Sequence, residues 1–267
     1  MISIDAGKCT TCGRCVEECP SFILKIEDKI PVMTYEKGCI QCGHCVAICP
    51  YSAFDHAMAP LVNQSPLPQH PVFGPIEAER FLRSRRSVRN FKKNPVQRVL
   101  LSQLVNIARF APSAGNSQGI SYLIVDNPAT LELVSEATTN WITSDSSGSR
   151  RMRYYKVFVE KYAKEGIDVI LRNAPVLVVA LAPRQLETGF SNARFSLAYT
   201  ELYATTLGLA SCWAGFFELC GQALYHPLYD QLQIPEDKII CGGLMVGYPK
   251  YEYKRLVDRN PLDVKFI

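Results

Sequence analysis

The 267-residue chain carries 29 Lys and Arg against 25 Asp and Glu, a formal charge of +4, and 48% hydrophobic residues. Its mean hydropathy is +0.00, and the longest apolar run, VLVVALA at 176–182, is far too short to cross a bilayer, so the composition describes a globular protein with no helical membrane span. Residues 1–56 hold five basic and seven acidic side chains, and the remainder 24 and 18. The basic portion has no dense Lys/Arg run and no nucleic-acid reading motif, so it suits a phosphorylated cofactor or an ordinary solvated surface better than a nucleic acid. MISIDAGKCTT lacks the charged and apolar regions of a secretory signal, and the expected location is cytoplasmic.

Eight of the eleven cysteines fall within the first 49 residues. In a reducing compartment that usage favours metal over disulfides. CTTCGRCVEECP at 9–20 and CIQCGHCVAICP at 39–50 match as C-x-x-C-G-x-C-V-x-x-C-P. This spacing wraps cubane iron–sulfur clusters, three thiolates capping one cluster while the fourth crosses to the other. It assigns Cys9, Cys12, Cys15 and Cys49 to one cluster, and Cys39, Cys42, Cys45 and Cys19 to the second. A zinc Cys₄ site built from two C-x-x-C pairs is the alternative, though eight thiols in two triple-plus-one runs overshoot the four that such a site needs. A redox dithiol at Cys42–Cys45 would leave Cys39 and Cys49 without a role. A c-type haem would need His where Gly43 stands. His44 reads as a loop residue beside a cluster. Residues 1–57 resemble the bacterial two-cluster ferredoxins, which implies a pseudo-symmetric βαβ repeat around two [4Fe–4S] centres and low-potential one-electron transfer.

Residues 58–75 lie in a stretch with five prolines between 58 and 80, and read as an extended linker. From 76 to 267 a second domain is expected. Helical spacing runs through IEAERFLRSRR, VQRVLLSQLVNIARFA and SNARFSLAYTELYATTLGLA (191–210). Strands are expected at 121–127, 175–182 and 238–249, with a polar loop at 144–151. The pattern predicts an α+β fold, a sheet sandwiched by helices, without a Rossmann or P-loop signature.

Three segments carry candidate chemistry. RSRRSVRNF (83–91) gathers Arg85, Arg86, Ser87 and Arg89, suited to phosphate oxygens or an electron-rich ring edge, or simply a basic solvated turn. ARFAPSAGNSQG (108–119) offers Ser113, Asn116 and Gln118 in a loop of turn formers. GLASCWAGFFE (208–218) is a small-residue turn, either buried packing or a platform against a planar ring.

In this order, and with the terminal GYPKYEYKR, they resemble the nitroreductase family over about 76–260. The resemblance implies a nitroreductase-like α/β sandwich whose central sheet is mostly antiparallel, with FMN bound at the interface of an intertwined homodimer. By that likeness Arg85, Arg86 and Ser87 grip phosphate and ribityl, and Arg89 reaches the pyrimidine edge. Pro112, Ser113, Ala114 and Asn116 approach the isoalloxazine. Cys212, Trp213, Ala214 and Gly215 border the ring near N5, with Arg255 and Lys254 returning to the phosphate. The family's Pro-Trp after the Gln is replaced here by Gly119-Ile120, which leaves the substrate side open. Cys212, Cys220 and Cys241 have no metal spacing and read as buried core thiols, Cys212 being the one near enough to the flavin for a catalytic role. The expected activity is an FMN-dependent oxidoreductase of nitroreductase type, exchanging electrons between clusters and flavin to reduce a nitroaromatic, quinone or activated alkene. A redox protein or NAD(P)H would be the donor. The alternative is a non-enzymatic electron-transfer or redox-sensing module. Neither a membrane nor a nucleic acid is an expected partner.

Overall fold

The computed structural model describes residues 2–67 and 72–267. The chain divides into two compact units, Met1–Val72 with Gly115–Ser117, and Phe73–Ala114 with Gln118–Ile267. Residues 68–71 of the expected linker lie outside the described residues.

In the first unit, β1 (Ile2–Ile4) pairs antiparallel with β4 (Phe54–His56), and β2 (Leu24–Glu27) with β3 (Ile30–Met33). Between them lie two single-turn helices, α1 (Arg14–Glu17) and α2 (His44–Ala47). The sequence repeat is written into the backbone at an offset of thirty residues. Positive φ recurs at Thr11 (57°) and Gln41 (57°), Gly13 (76°) and Gly43 (75°), and Phe22 (54°) and Ser52 (51°). Gly43 needs its missing side chain twice over, since a Cβ there would also stand 2.9 Å from the Ala59 methyl. His44, expected in a loop, opens α2 instead, because the left-handed Gly43 turns the chain straight into a helix. A small core of Cys15, Leu24, Val46 and Phe54 fills the unit. The connector is not wholly extended. Asp55 Oδ1 accepts the backbone N–H groups of His56 and Leu61, each at 2.7 Å, and Leu61–Asn63 forms a 3₁₀ turn.

The second unit contains α3 (Pro75–Ser84), α4 (Arg98–Asn106), β5 (Ser121–Val125), α5 (Pro128–Ser144), α6 (Arg150–Lys164) and β6 (Val176–Pro183). These are followed by α7 (Gly189–Thr206), β7 (Ala210–Trp213), α8 (Gly215–Gln222), α9 (His226–Gln231) and β8 (Lys238–Gly247). Four strands form one antiparallel sheet in the order β5-β6-β8-β7. The central β6 is buried on both faces, which is why it reads as an unbroken apolar run. Its alternation sends Leu177, Val179 and Leu181 into one core with Phe217, Leu228 and Val134. Val176, Val178, Ala180 and Ala182 enter the other with Leu101, Leu104 and Leu197. The expected helix-flanked antiparallel sheet is thus present, with one strand more than expected. Residues 208–218, read as a turn, contain the edge strand β7, whose residues pair with Leu244–Gly247 of β8. Gly208, at φ 68°, ends α7 earlier than the apolar pattern suggested and lets the chain enter that strand. The helix expected through Ala111 tightens to a 3₁₀ turn at Ile107–Phe110 just before Pro112.

Candidate metal centres and cofactor cleft

The eight N-terminal thiols sort into two sets around two hollows of the first unit. Cys9, Cys12, Cys15 and Cys49 line one cavity with Ile4, Pro31 and Phe54. Cys19, Cys39, Cys42 and Cys45 line another with Ile2, Leu24 and Met33. Each run therefore sends its fourth cysteine into the cavity of the other. Among the described residues, no group of three or more His, Cys, Asp or Glu side chains is set to hold a single metal ion. A lone zinc would draw its sulfurs to about 2.3 Å from one point. Thiols standing around an apolar hollow instead fit a multi-iron cluster.

Electrostatics agree with that fit. Burial pushes the Cys45 thiol up to about 11 and raises Cys15, the neighbouring sulfurs adding to both. Without cationic iron these groups stay protonated, so ligation must supply the charge that makes them thiolates. Two contacts already reach sulfur. The Ala53 N–H donates to Cys49 Sγ at 3.3 Å, and His56 Nε2 lies 3.5 Å from Cys39 Sγ. His56 is 3% exposed, and burial lowers its pKa.

The second unit holds three clefts near the candidate cofactor residues. The first, about 810 Å³, is lined by Arg83, Arg85, Arg86 and Arg259. Arg85 is partly committed, its Nη1 lying 3.4 Å from Glu201 Oε1, a buried carboxylate that also accepts the Ser211 hydroxyl at 3.0 Å. Arg86 differs. Its Nε is buried with no hydrogen-bond partner, and its guanidinium lies 5.7 Å from the Tyr253 ring centroid. An orphaned cationic donor beside other arginines fits a phosphate. Arg259 was not anticipated from sequence, since no motif marks it. Lys254 is instead paired with Glu252 at 2.5 Å, and Arg255 is exposed.

The second cleft, about 650 Å³, joins Arg89, Cys212, Trp213 and Gly215 with Arg151, Arg172, Tyr155 and Phe216. Ser87 bridges to Ser211, which brings the arginine segment alongside β7. Trp213 is held by its indole N–H donating to the buried Glu218, which also receives Arg194 and Gln222. Ala214 is wholly buried and donates its N–H to Gly243 O at 2.9 Å. Cys212 is 3% exposed. Burial raises its pKa, against the pull of Arg89 and Arg172, which leaves a neutral thiol. Arg172 and Asn173 both have positive φ, 57° and 52°. Asp168 sustains that strained pair by accepting the backbone N–H groups of Ile170, Leu171 and Asn173 at 2.9–3.0 Å.

The third cleft, about 670 Å³, is lined by Pro112, Ser113, Arg109, Gln118, Asn192 and Ser196. The Ala114 N–H donates to Asn192 Oδ1 at 3.2 Å, and the Gln118 N–H to Ser113 Oγ at 2.9 Å. Asn116 belongs to the segment grouped with the first unit, where its Nδ2 donates to Ile40 O at 3.0 Å. One chain therefore brings Arg89 together with Cys212, Trp213 and Gly215, but leaves Pro112 and Ser113 in a separate cleft. Arg151, Arg172, Asn192 and Glu201 lay outside every motif. Of these only Glu201, a lone carboxylate in a mostly apolar helix, carried a signal in the sequence.

Residues 82–248 match the nitroreductase family model, and residues 1–50 a 4Fe–4S dicluster domain. A 5,6-dimethylbenzimidazole synthase from Rhodobacter capsulatus is 26% identical over 190 residues, covering 68% of this chain and 85% of that protein. Among solved structures, an FMN-bound nitroreductase from Bacteroides fragilis superposes with a TM-score of 0.57 at 19% identity, over 72% of this chain and 97% of its own. Another FMN-bound nitroreductase, from Desulfitobacterium hafniense, gives 0.58 at 18%, over 71% and 98%. At such identities the likeness shows the fold. With the family model spanning more than half of its length, the chain belongs to the nitroreductase family and carries a 4Fe–4S dicluster domain ahead of its flavoenzyme fold.

Proposed function

We propose that the protein is an FMN- and iron–sulfur-dependent oxidoreductase that moves electrons between two [4Fe–4S] centres and FMN to reduce a small planar acceptor. The observation that carries this reading is the sorting of eight thiols, four and four, around two cavities in a chain whose other unit has the nitroreductase fold. When bound, the clusters supply one-electron transfer and the flavin both one- and two-electron chemistry.

The chain's own residues would do the rest. Arg86, with Arg83 and Arg259 beside it, would hold the phosphate. Arg89 would stand at the pyrimidine edge, where its charge favours the reduced, anionic ring. Cys212, Trp213 and Gly215 would border the ring, and the buried Glu218 keeps the Trp213 indole from turning. Arg151 and Arg172 line that same cleft beside Tyr155 and Phe216. Two cations in a cleft with aromatic walls, Arg151 lying over the Tyr155 ring, favour an acceptor that is flat and negatively charged, such as a nitroaromatic or quinone bearing a carboxylate or sulfonate. The separation of the Pro112–Ser113 cleft from the Arg89 cleft supports a homodimer, in which a second copy would complete the site. Exposed Phe195 and Tyr199, one turn apart on α7, offer an apolar face for it.

The test is an anaerobic spectral titration of the purified protein with NADH or NADPH, followed by reduced ferredoxin or dithionite. Rapid bleaching by pyridine nucleotide makes FMN the entrance for hydride. Bleaching only by the one-electron donor makes the clusters the entrance. Purified protein without flavin or iron absorbance would sink the proposal. Reduced protein that turns over neither nitroaromatics, quinones nor activated alkenes would leave an electron-transfer module in its place.

A further inference from the structure

We infer that His56 tunes the reduction of one metal centre and not the other, by donating a side-chain hydrogen bond to the Cys39 sulfur that Ile26, its counterpart in the repeat, cannot make. The inference rests on reading the eight thiols as cluster ligands.

The geometry fixes the direction of the bond. His56 ends β4, pairs with Ile2, and is 3% exposed. Its Nδ1 accepts the Met58 backbone N–H at 3.0 Å. A ring nitrogen that accepts carries no proton, so in the neutral imidazole the proton sits on Nε2. That nitrogen lies 3.5 Å from Cys39 Sγ, within reach for N–H···S. The ring is held there from both sides. Asp55 Oδ1 takes the backbone N–H groups of His56 and Leu61, closing the turn that presents Met58. His56 also lines the cavity shared by Cys19, Cys39, Cys42 and Cys45.

The thirty-residue repeat supplies an internal control. Cys39 corresponds to Cys9, and His56 to Ile26. An isoleucine side chain has no hydrogen-bond donor, and Ile26 is 38% exposed on β2. Elsewhere the two halves agree closely in backbone angle, so this is a chemical difference on a shared scaffold. Adding an electron to a cluster raises the negative charge on its sulfurs. A donor aimed at one of them stabilises the reduced form and raises the potential of that centre alone. The first centre has its own backbone donor, the Ala53 N–H on Cys49 Sγ, so what His56 adds is specific to the other. It makes the centre held by Cys39, Cys42, Cys45 and Cys19 more easily reduced than it would be with an apolar side chain at position 56.

The experiment is a redox titration of the full-length holoprotein followed by electron paramagnetic resonance, comparing wild type with His56→Leu and His56→Gln. In His56→Leu the reduction equilibrium of one centre should fall about five- to tenfold, tenfold being about 59 mV for one electron, while the other centre holds its value. His56→Gln, which keeps an N–H donor of similar reach, should recover part of the shift. With iron and sulfide content intact, unchanged potentials, or equal shifts in both centres, would overturn the inference. If His56→Leu loses a cluster, His44→Gln protein labelled with ¹⁵N-histidine decides, since His44 also lines that cavity and is removed in this variant. Hyperfine coupling from an imidazole nitrogen to one reduced centre supports the bond, and its absence refutes it. Wild-type protein containing no iron would instead refute the cluster assignment beneath it.

Discussion

Arg85 reaches back across the fold to Glu201, Nη1 to Oε1 at 3.4 Å, and Glu201 accepts the Ser211 hydroxyl at 3.0 Å on its other side. The Glu201 side chain is only 12% exposed. An arginine in a segment that resembles a phosphate grip is thus also the counter-charge of a buried acid. Arg85→Ala should destabilise the second unit by about 1–3 kcal/mol, because it strands a desolvated carboxylate. Adding Glu201→Gln to that variant should recover part of the loss. Chemical denaturation of the three proteins checks both statements.

Arg86 and Arg89 should separate the two ends of the flavin. Arg86→Ala removes the guanidinium whose Nε has no partner, and FMN affinity should fall about 10- to 100-fold, the range of one or two charge-assisted bonds. Arg89→Ala should weaken retention and also lower the flavin potential. Fluorescence of released FMN and a dye-linked potential measurement distinguish them. Unchanged binding and potential in Arg89→Ala would mean the segment is misassigned.

Cys49 closes the second cysteine run in sequence but lines the cavity of the first. Cys49→Ser should therefore damage the centre held by Cys9, Cys12 and Cys15 and spare the one beside His56. Iron content should drop by about half if the damaged cluster is lost outright. Paramagnetic resonance should show the surviving signal to be the one that responds to His56→Leu.

Alkaline pH should weaken the second unit. Burial raises Cys220 from an ordinary 9.0 to about 12 and Cys241 to about 11. These thiols stay neutral when folded but ionise when exposed, so their contribution is complete below about pH 9. It is lost as pH climbs from there toward the folded values, at about 1.4 kcal/mol per unit for each thiol. Cys220→Ala should flatten the fall in melting temperature between pH 9 and 11, though it lowers stability at neutral pH by leaving a small void.

Asp168 links backbone strain to charge. Its carboxylate holds the N–H groups that keep Arg172 and Asn173 left-handed. Asp168→Asn should release that loop, and 4-nitrobenzoate should then bind more weakly while neutral 4-nitrobenzamide binds as before. Arg172→Gln, which keeps the Asp168 hydrogen bonds, should give the same discrimination with the loop still held. Difference spectra of the oxidised flavin report both affinities.

The cysteine sets were legible in sequence because ligand spacing is a local property, and a repeat doubles the signal. The helix-flanked sheet followed from the β-branched runs of β5, β6 and β8, and its antiparallel order from the family resemblance. The strand β7 did not, since Ala210 and Ser211 carry no strand propensity and the segment is defined by its pairing with β8. Arg172, Arg259 and His56 were invisible for a related reason. Each gains its role from a partner distant in sequence or from a strained backbone, and neither leaves a pattern in neighbouring residues. Pro112 and Ser113 were legible as a motif, but not as residents of a separate cleft.

The crossing of Cys19 and Cys49 has a consequence for assembly. Each thirty-residue half contributes three thiols to one hollow and only the fourth to its neighbour's. Neither hollow gathers its four thiols until both halves have folded against each other, so filling one site also staples the chain that carries the other.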